Sequence, residues 1–379
     1  MNHKKLSAVL VALLATASAF VPLGTADAAY RFSDFQGRPP VHVYKSAQLK
    51  PSGVSPAEIK KVYNLPATGG KGTIAIIDAY DDPNMESDLA VFDKQYNLPA
   101  CTAANGCFEK HKMASSTASD SGWAMETSLD VEWAHAIAPT AKILLVEAKT
   151  PSGANLLSAI DYATSRKDVI AISMSWGGAE FSDELSYDTH FVDKANPAAA
   201  FFASSGDDGA GASWPASSPN VIGVGGTSLA LASSGALIAE SAWSGSGGGV
   251  SAYEKEPVWQ TAYKISKAGG MRAIPDVSYD ADPASGYSIY ITTGTGAKAK
   301  GAWDTVGGTS AGAPQWAAIQ AIGGSAVLAR FYSDKASTST LKYFRDITSG
   351  SNGACAYYCD ARKRYDYVTG LGSPQTTKF

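Results

Sequence analysis

From about Ser55 to residue 230 the chain alternates short, continuous apolar runs with longer amphipathic stretches, and this narrows the folds open to it. The runs are Thr73-Ile74-Ala75-Ile76-Ile77-Asp78, Ile143-Leu144-Leu145-Val146-Glu147, Val169-Ile170-Ala171-Ile172-Ser173, Ala200-Phe201-Phe202-Ala203 and Val221-Ile222-Gly223-Val224. Between them, helical periodicity is present near 84–95, 122–137, 154–166 and 183–195. Strands apolar on both sides belong to a parallel sheet covered on both faces. The expected class is therefore α/β, a doubly wound, mostly parallel sheet with helices on both faces. Past residue 230 the pattern gives way to Gly/Ser-rich loops such as Ser244-Gly245-Ser246-Gly247-Gly248-Gly249, with one more helix from Ala311 to about Gly323. Residues 29–57, with Pro39, Pro40 and Pro51, read as an irregular lead-in.

The 379 residues are 45% hydrophobic, which excludes a chain too polar to bury a core. A net charge of −4 offers no counter-charge to nucleic acid or to an anionic membrane, so neither is expected as a partner. Met1-Asn2-His3-Lys4-Lys5 is a basic start, Leu6 to Val21 is apolar, and Ala26-Asp27-Ala28 offers an A-x-A cleavage site. Residues 1–28 thus have the pattern of a secretory signal peptide. No later apolar run is long enough to span a bilayer. The expectation is a secreted, soluble, extracellular monomer.

Four cysteines suit that compartment. Cys101 and Cys107 are close neighbours in a polar loop, as are Cys355 and Cys359. Three pairings are open, and the local one is the simplest. A four-cysteine zinc site is the rival, but neither pair has C-x-x-C spacing.

Ligands of doubly wound sheets gather beyond the C-terminal ends of the strands. Those ends carry Asp78, Trp176 and Asp207. The strongest local motif lies further on, in Gly307-Gly308-Thr309-Ser310-Ala311-Gly312-Ala313-Pro314 ahead of a helix. Small residues permit a tight turn there, and the helix directs its first N–H groups toward it, so a serine hydroxyl would sit beside ready anion stabilisation. Read alone, Thr309 or Ser310 is equally a helix N-cap. A nucleophilic serine also needs a base. Of His3, His42, His111, His135 and His190, none has the glycine-flanked H-G-T-H context that supplies one in subtilisins. His135 follows Glu126 and Asp130 on one predicted helix, but at about 100° per residue it points roughly opposite to Glu126, whereas the two acids share a face. Asp207, in Ser204-Ser205-Gly206-Asp207-Asp208-Gly209, is a third acid in a turn sequence.

Together the E-x-x-x-D helix, the S-G-D-x-G turn and the G-T-S-A-x-x-P serine, in that order, resemble the sedolisin family of serine-carboxyl peptidases, built on a subtilisin-like fold. The likeness runs from about residue 57 to 375, which makes 58–379 the peptidase domain. It implies Ser310 as nucleophile, Glu126 as general base and Asp130 as the group orienting Glu126. It further implies Asp207, with the Ser310 N–H, as the oxyanion hole. Ser175-Trp176-Gly177 would pair with the substrate backbone, and Asp78 and Trp176 would extend the hydrogen-bond network behind the acids. Near the C-terminus the likeness implies one structural Ca²⁺ held by Asp346, the Ile347, Arg362 and Arg364 carbonyls, and Asp366, although the family usually has glycines where the two arginines stand. Two carboxylates with carbonyls are suitable hard ligands. The lead-in is too short for the long prodomain that family members usually carry.

A carboxylate of pKa about 4.3 is roughly one-third ionised at about pH 4, where an imidazole is almost wholly charged. Such a site is suited to acid, and the expected activity is secreted endopeptidase cleavage of proteins or peptides at low pH. Two other readings are open: a catalytically silent relative that binds peptides or surfaces, and an ordinary subtilase using Asp78 and His111.

Overall fold

The computed structural model describes residues 30–378, apart from 116, 194, 325–326 and 334–342. The expected signal peptide lies outside the described residues. The lead-in is more regular than its prolines suggest, because it contains β1 (His42–Gln48) and runs into α1 (Pro56–Val62). Helix α1 starts where its sequence dictates: Ser55 caps the Glu58 N–H, Glu58 returns to the Ser55 N–H, and Pro56 opens the first turn.

The apolar runs form the predicted sheet. Its first half comprises β2 (Thr73–Ala79), α2 (Met85–Tyr96), β3 (Phe108–Lys112), α3 (Ser121–Ile137), β4 (Lys142–Ala148), α4 (Gly153–Thr164) and β5 (Val169–Met174). A short pair follows, β6 (Gly178–Ala179) with β8 (Ser213–Trp214), on either side of β7 (Ala200–Ser204). Strands β9 (Ile222–Leu231) and β10 (Leu237–Ala242) complete the sheet path, whose order is β10-β9-β7-β5-β2-β4-β3. All neighbours except β10 and β9 are parallel.

Strand alternation then separates the two faces. Ile74 and Ile76 of β2 pack with α3 residues such as Leu129 and Trp133, while Ala75 and Ile77 pack with Leu156 and Ile160 of α4. Asp78 continues the first series, so its carboxyl is delivered to the α3 face, and Glu147 stands beside it in register on β4. Helix α3 has its N-terminal amides capped by Asp120, and every residue from Glu126 to Ile137 is buried.

Two expectations are corrected. The helix expected near 183–195 is a 3₁₀ stretch, Glu184–Phe191, whose N-cap Asp183 makes no capping bond. Beyond residue 230 the chain is not mainly loop. Strands β11 (Gly249–Lys255) and β12 (Met271–Ile274) pair around α5 (Val258–Tyr263), and β13 (Val277–Asp280) adds to β9 in parallel. Then β14 (Tyr287–Thr293) and β15 (Lys300–Gly307) form an antiparallel sheet whose other edge is β1, in the order β1-β15-β14. Gly225 and Gly226 interrupt the apolar pattern inside β9, where a side chain would strike Pro275 or Trp243. Helix α6 (Gly312–Ile322) follows as expected.

The buried Arg272–Asp276 pair ties this second half together. Asp276 accepts from both Arg272 amino groups at 2.8 and 2.6 Å, from the Gly223 N–H at 2.8 Å and from the Tyr332 hydroxyl at 2.7 Å. Asp276→Ala leaves a guanidinium buried without its counter-charge. It is expected to lower unfolding free energy by about 3–5 kcal/mol, read by urea denaturation; a loss below about 1 kcal/mol would show the pair to be dispensable.

Candidate active site

Ser310 lies in the turn between β15 and α6. Gly308 opens that turn at φ 132°, and a side chain there would meet the Pro40 carbonyl and the Asp207 carboxylate, so glycine is required. Thr309–Ala311 make one 3₁₀ turn into the helix, and Ser310 is fully buried. The turn is tied to the ends of β5 and β7. Ser175 Oγ donates to the Ser310 carbonyl at 3.2 Å, and the Gly206 N–H donates to Thr309 Oγ1 at 3.1 Å. Thr309 in turn donates to Asp207 Oδ1 from its N–H at 2.8 Å and its hydroxyl at 2.7 Å.

Facing the turn are Glu126 and Asp130 of α3, with Asp78 behind them. All three are fully buried. Among the described residues, none of their carboxylate oxygens, nor Ser310 Oγ, has a hydrogen bond of good geometry. The looser contacts of Glu126 with Ser310 and Asp130, and of Asp130 with Ser175, define how the groups influence one another. Burial pushes Glu126 and Asp130 well above the usual carboxylate range, and the neighbouring Asp78 charge pushes both further. Burial likewise raises Asp78 to about 7, with Glu147 adding to it. With no cation from the described residues between them, three acids this close share protons rather than ionise together.

Asp207 is nearly buried, and that burial raises its pKa against the pull of His42 and Thr309. His42 Nε2 lies 3.1 Å from Asp207 Oδ2, an ion-pair contact off the line of a good hydrogen bond. Asp207 raises the His42 pKa in return. No sequence motif signalled this histidine, since its partner lies across the fold. Thr309 was also missed, although it stands inside the serine motif.

The remaining expectations divide. Gly177 exchanges two main-chain hydrogen bonds with Arg38, 3.0 and 3.2 Å long. Trp176 does not extend the acid network: its one indole N–H donates to the Ile77 carbonyl at 2.9 Å. His111 stacks on Tyr162, His135 is buried against the Pro99 carbonyl at 2.9 Å, and His190 pairs with Asp161, so none of them serves Ser310. The cysteines pair locally, Cys101 with Cys107 and Cys355 with Cys359. Three metal-capable side chains converge, among the described residues, only at Cys101, Cys107 and His135, where disulfide formation removes both thiolates.

At the C-terminal loop both acids grip one segment. Asp366 accepts the Arg362 N–H at 3.0 Å and Asp346 the Arg364 N–H at 3.0 Å. The Arg362 guanidinium is turned away, to Asp360 at 3.2 Å and the Tyr357 ring. Asp366 is 2% exposed, and no side-chain cation is bonded to it among the described residues. A buried carboxylate without a side-chain counter-charge, beside Asp346 and the buried Ile347, fits a hard divalent cation.

A serine in a strand–turn–helix bend, opposite two helical carboxyls at the edge of a parallel sheet, defines a serine-peptidase scaffold. The chain matches the subtilase family over residues 111–341 and belongs to that family, within it to the sedolisin group. Sedolisin from Pseudomonas sp. (strain 101) is 29% identical over 376 residues, covering 86% of this chain and 60% of that protein. Kumamolisin from Bacillus sp. (strain MN-32) is 30% identical over 369 residues, covering 87% and 63%. The chain thus spans about three-fifths of the length of these relatives. The solved structure of Pseudomonas sedolisin, a serine-carboxyl proteinase complexed with two molecules of pseudo-iodotyrostatin, superposes with a TM-score of 0.72 at 28% identity, covering 86% of this chain and 96% of that one.

The raised acids have a consequence for stability. A carboxyl whose folded pKa lies above its unfolded value of about 4 contributes stability that is full below about pH 4 and is lost as pH rises through the folded pKa. Asp78, Asp93 and Glu147, each near 7, and Asp88, near 6, act in this sense. His135, lowered by burial, opposes them below its unfolded pKa of about 6.5. Four acids outweigh one histidine, so the Ser310→Ala chain should melt at a higher temperature at about pH 4.5 than at about pH 7.5. A higher melting temperature at the neutral pH would contradict this assignment.

Proposed function

We propose that the chain is a secreted serine-carboxyl endopeptidase that hydrolyses peptide bonds in proteins at acidic pH. The observation that carries the reading is the opposition of Ser310 to the buried Glu126–Asp130 couple, with His111, His135 and His190 engaged elsewhere. Secretion is supported by the leader pattern of residues 1–28 and by two disulfides.

In this mechanism Ser310 Oγ attacks the scissile carbonyl carbon and its proton passes to Glu126, which must be ionised at that moment. Asp130 holds Glu126 in orientation. Charge developing on the carbonyl oxygen is met by the Ser310 N–H, at the positive end of α6, and by the Asp207 carboxyl in its protonated form. Glu126 then gives its proton to the leaving amine. Water, deprotonated by the same carboxylate, releases the acyl group and regenerates the serine. Asp207 must keep its proton while Glu126 loses its own, which confines activity to acid.

Asp346, Asp366 and the Ile347, Arg362 and Arg364 carbonyls would hold a structural Ca²⁺, neutralising the buried acid and pinning the loop.

Ser310→Ala should abolish peptide hydrolysis, and Glu126→Gln should reduce it by orders of magnitude, since an amide cannot accept the serine proton. Asp207→Asn should lower turnover by up to about 10²–10³, with part retained because Asn keeps an N–H. His111→Ala and His135→Ala should leave activity nearly intact, with an optimum below about pH 6. An optimum near about pH 8 with loss of activity in His111→Ala would instead make this an ordinary subtilase. For the ion, chelation should lower the melting temperature and Asp366→Ala should remove that response. A melting curve unmoved by chelator would discard the calcium and leave the peptidase reading standing.

A further inference from the structure

Asp207 stands in a turn with little core of its own. Gly206, Gly209 and Gly211 supply no side chain to pack, and Asp208, Ala210 and Gly211 are exposed. The turn lines a cavity of about 710 Å³ together with Gly177–Ala179. Main-chain bonds hold it instead. The Gly206 carbonyl accepts the Gly247 N–H at 2.7 Å, the Gly209 N–H donates to the Gly245 carbonyl at 2.9 Å, and the Gly211 N–H donates to the Gly248 carbonyl at 2.7 Å. These bonds lace the turn to the segment 244–249. Its middle is gripped from a third segment: the Ala210 N–H donates to the Asn352 carbonyl at 3.3 Å, and Gly209 lies so close to that carbonyl that a side chain would strike it.

Asn352 is out of keeping with its surroundings. It belongs to a hairpin bridged between Ser351 and Asp360 and closed by the Cys355–Cys359 disulfide. Ser351 and every residue from Gly353 to Ala356 are exposed, yet Asn352 is only 4% exposed. Burying an amide is costly unless its polar atoms find partners. Its Nδ2 has one, donating to the Ser246 carbonyl at 2.7 Å, whereas Oδ1 has no hydrogen-bond partner among the described residues. Ser246 is a firm anchor. It is fully buried, and its hydroxyl accepts the Gly226 N–H and donates to the Val368 carbonyl, both at 2.8 Å. The Asn352 N–H completes the joint by donating to the Cys359 carbonyl at 3.0 Å. A single residue thus ties the Asp207 turn, the 244–249 segment and the disulfide hairpin together.

We propose that Asn352 is a positioning residue for the Asp207 carboxyl, fastening its turn to Ser246 so that the carboxyl stays at the Ser310 turn while charge develops on the scissile carbonyl oxygen. The inference rests on the reading of Asp207 as oxyanion donor. Asp207 is itself bonded to Thr309 by the N–H and the hydroxyl, and Gly206 by its N–H to Thr309 Oγ1, so the serine turn restrains only one end of the loop. Asn352 restrains the other end, at Ala210. An oxyanion donor acts chiefly in the transition state, so its displacement lowers kcat more than it raises KM. Misplacement of a catalytic group by about 1 Å can cost about 10² in rate.

The test uses the full chain and a fluorogenic peptide at about pH 4. Asn352→Ala should lower kcat at least about tenfold with KM within about twofold of the parent. Asn352→Asp has the same shape, and its protonated carboxyl offers an O–H to the Ser246 carbonyl, so it should recover kcat to within about threefold of the parent. An unchanged kcat in Asn352→Ala, a loss carried by KM alone, or an Asn352→Asp as impaired as the alanine form overturns the proposal. If Asn352→Ala does not fold, Asn352→Ser, whose hydroxyl is too short to span the gap to Ser246, takes its place with the same expectations. A second reading needs no turnover. In Ser310→Ala, adding Asn352→Ala should speed amide exchange at Gly209 and Ala210 at least about tenfold while Ile76 and Leu145 in the core strands keep their protection. Unchanged exchange at Gly209 and Ala210 refutes the fastening. If the parent chain hydrolyses no peptide, the peptidase reading fails, and the exchange measurement still decides whether Asn352 holds the turn.

Discussion

The site depends on keeping Asp78, Glu126 and Asp130 out of water with no cation from the described residues among them. An isolated buried carboxylate is far too costly to persist as an ion, and no arginine, lysine or histidine of the described residues neutralises these three. Protonation is the way out, and it constrains the rest. Helix α3 must be buried on all sides to exclude water, so its aromatic and aliphatic residues fill the space between β2 and β14. Strand β2 must deliver Asp78 to that face, which the alternation from Ile74 through Ile76 does. The serine turn must then be held against α3 by bonds of its own, the ones that Ser175, Gly206 and Asp207 provide.

The parallel half of this arrangement was legible in the sequence because both determinants are local. Five apolar runs gave β2, β4, β5, β7 and the start of β9, though not the parallel strands β3 and β13, and a 17-residue helix appeared within a residue or two of its predicted bounds. The shared face of Glu126 and Asp130 follows from their spacing alone, and the Gly308–Ser310 bend from its small residues. Trp176 was placed correctly on the chain yet assigned the wrong partner, since a buried indole N–H takes the nearest strand carbonyl as readily as a carboxyl.

The antiparallel half was opaque for a physical reason. Strand β1 has no apolar face, six of its seven residues being exposed, and it is a strand only because β15, far along the chain, offers it an edge. Strand β9 was read only at its start, because Gly225 and Gly226 interrupt its apolar pattern. His42 belongs to this class: nothing within its own segment distinguishes it from His111, and only the fold brings it to Asp207. Sequence context identified the histidines that do not serve the serine, and could not identify the one that reaches the oxyanion side.

A carboxylate base sets the direction in which the proposed site answers to pH. In a triad that uses imidazole, the base works when neutral, above about pH 6.5. With Glu126 as base and Asp207 as proton donor, every titration at the site runs the other way. Falling pH protonates Asp207 into the form that would donate to an oxyanion, while burial holds Glu126 and Asp130 above the usual carboxylate range as a couple that shares protons. The same burial that raises those acids favours the folded chain in acid by linkage, the range in which the proposed peptidase would work. Substituting imidazole chemistry into this scaffold would therefore require changing the core around α3 and not the serine turn alone.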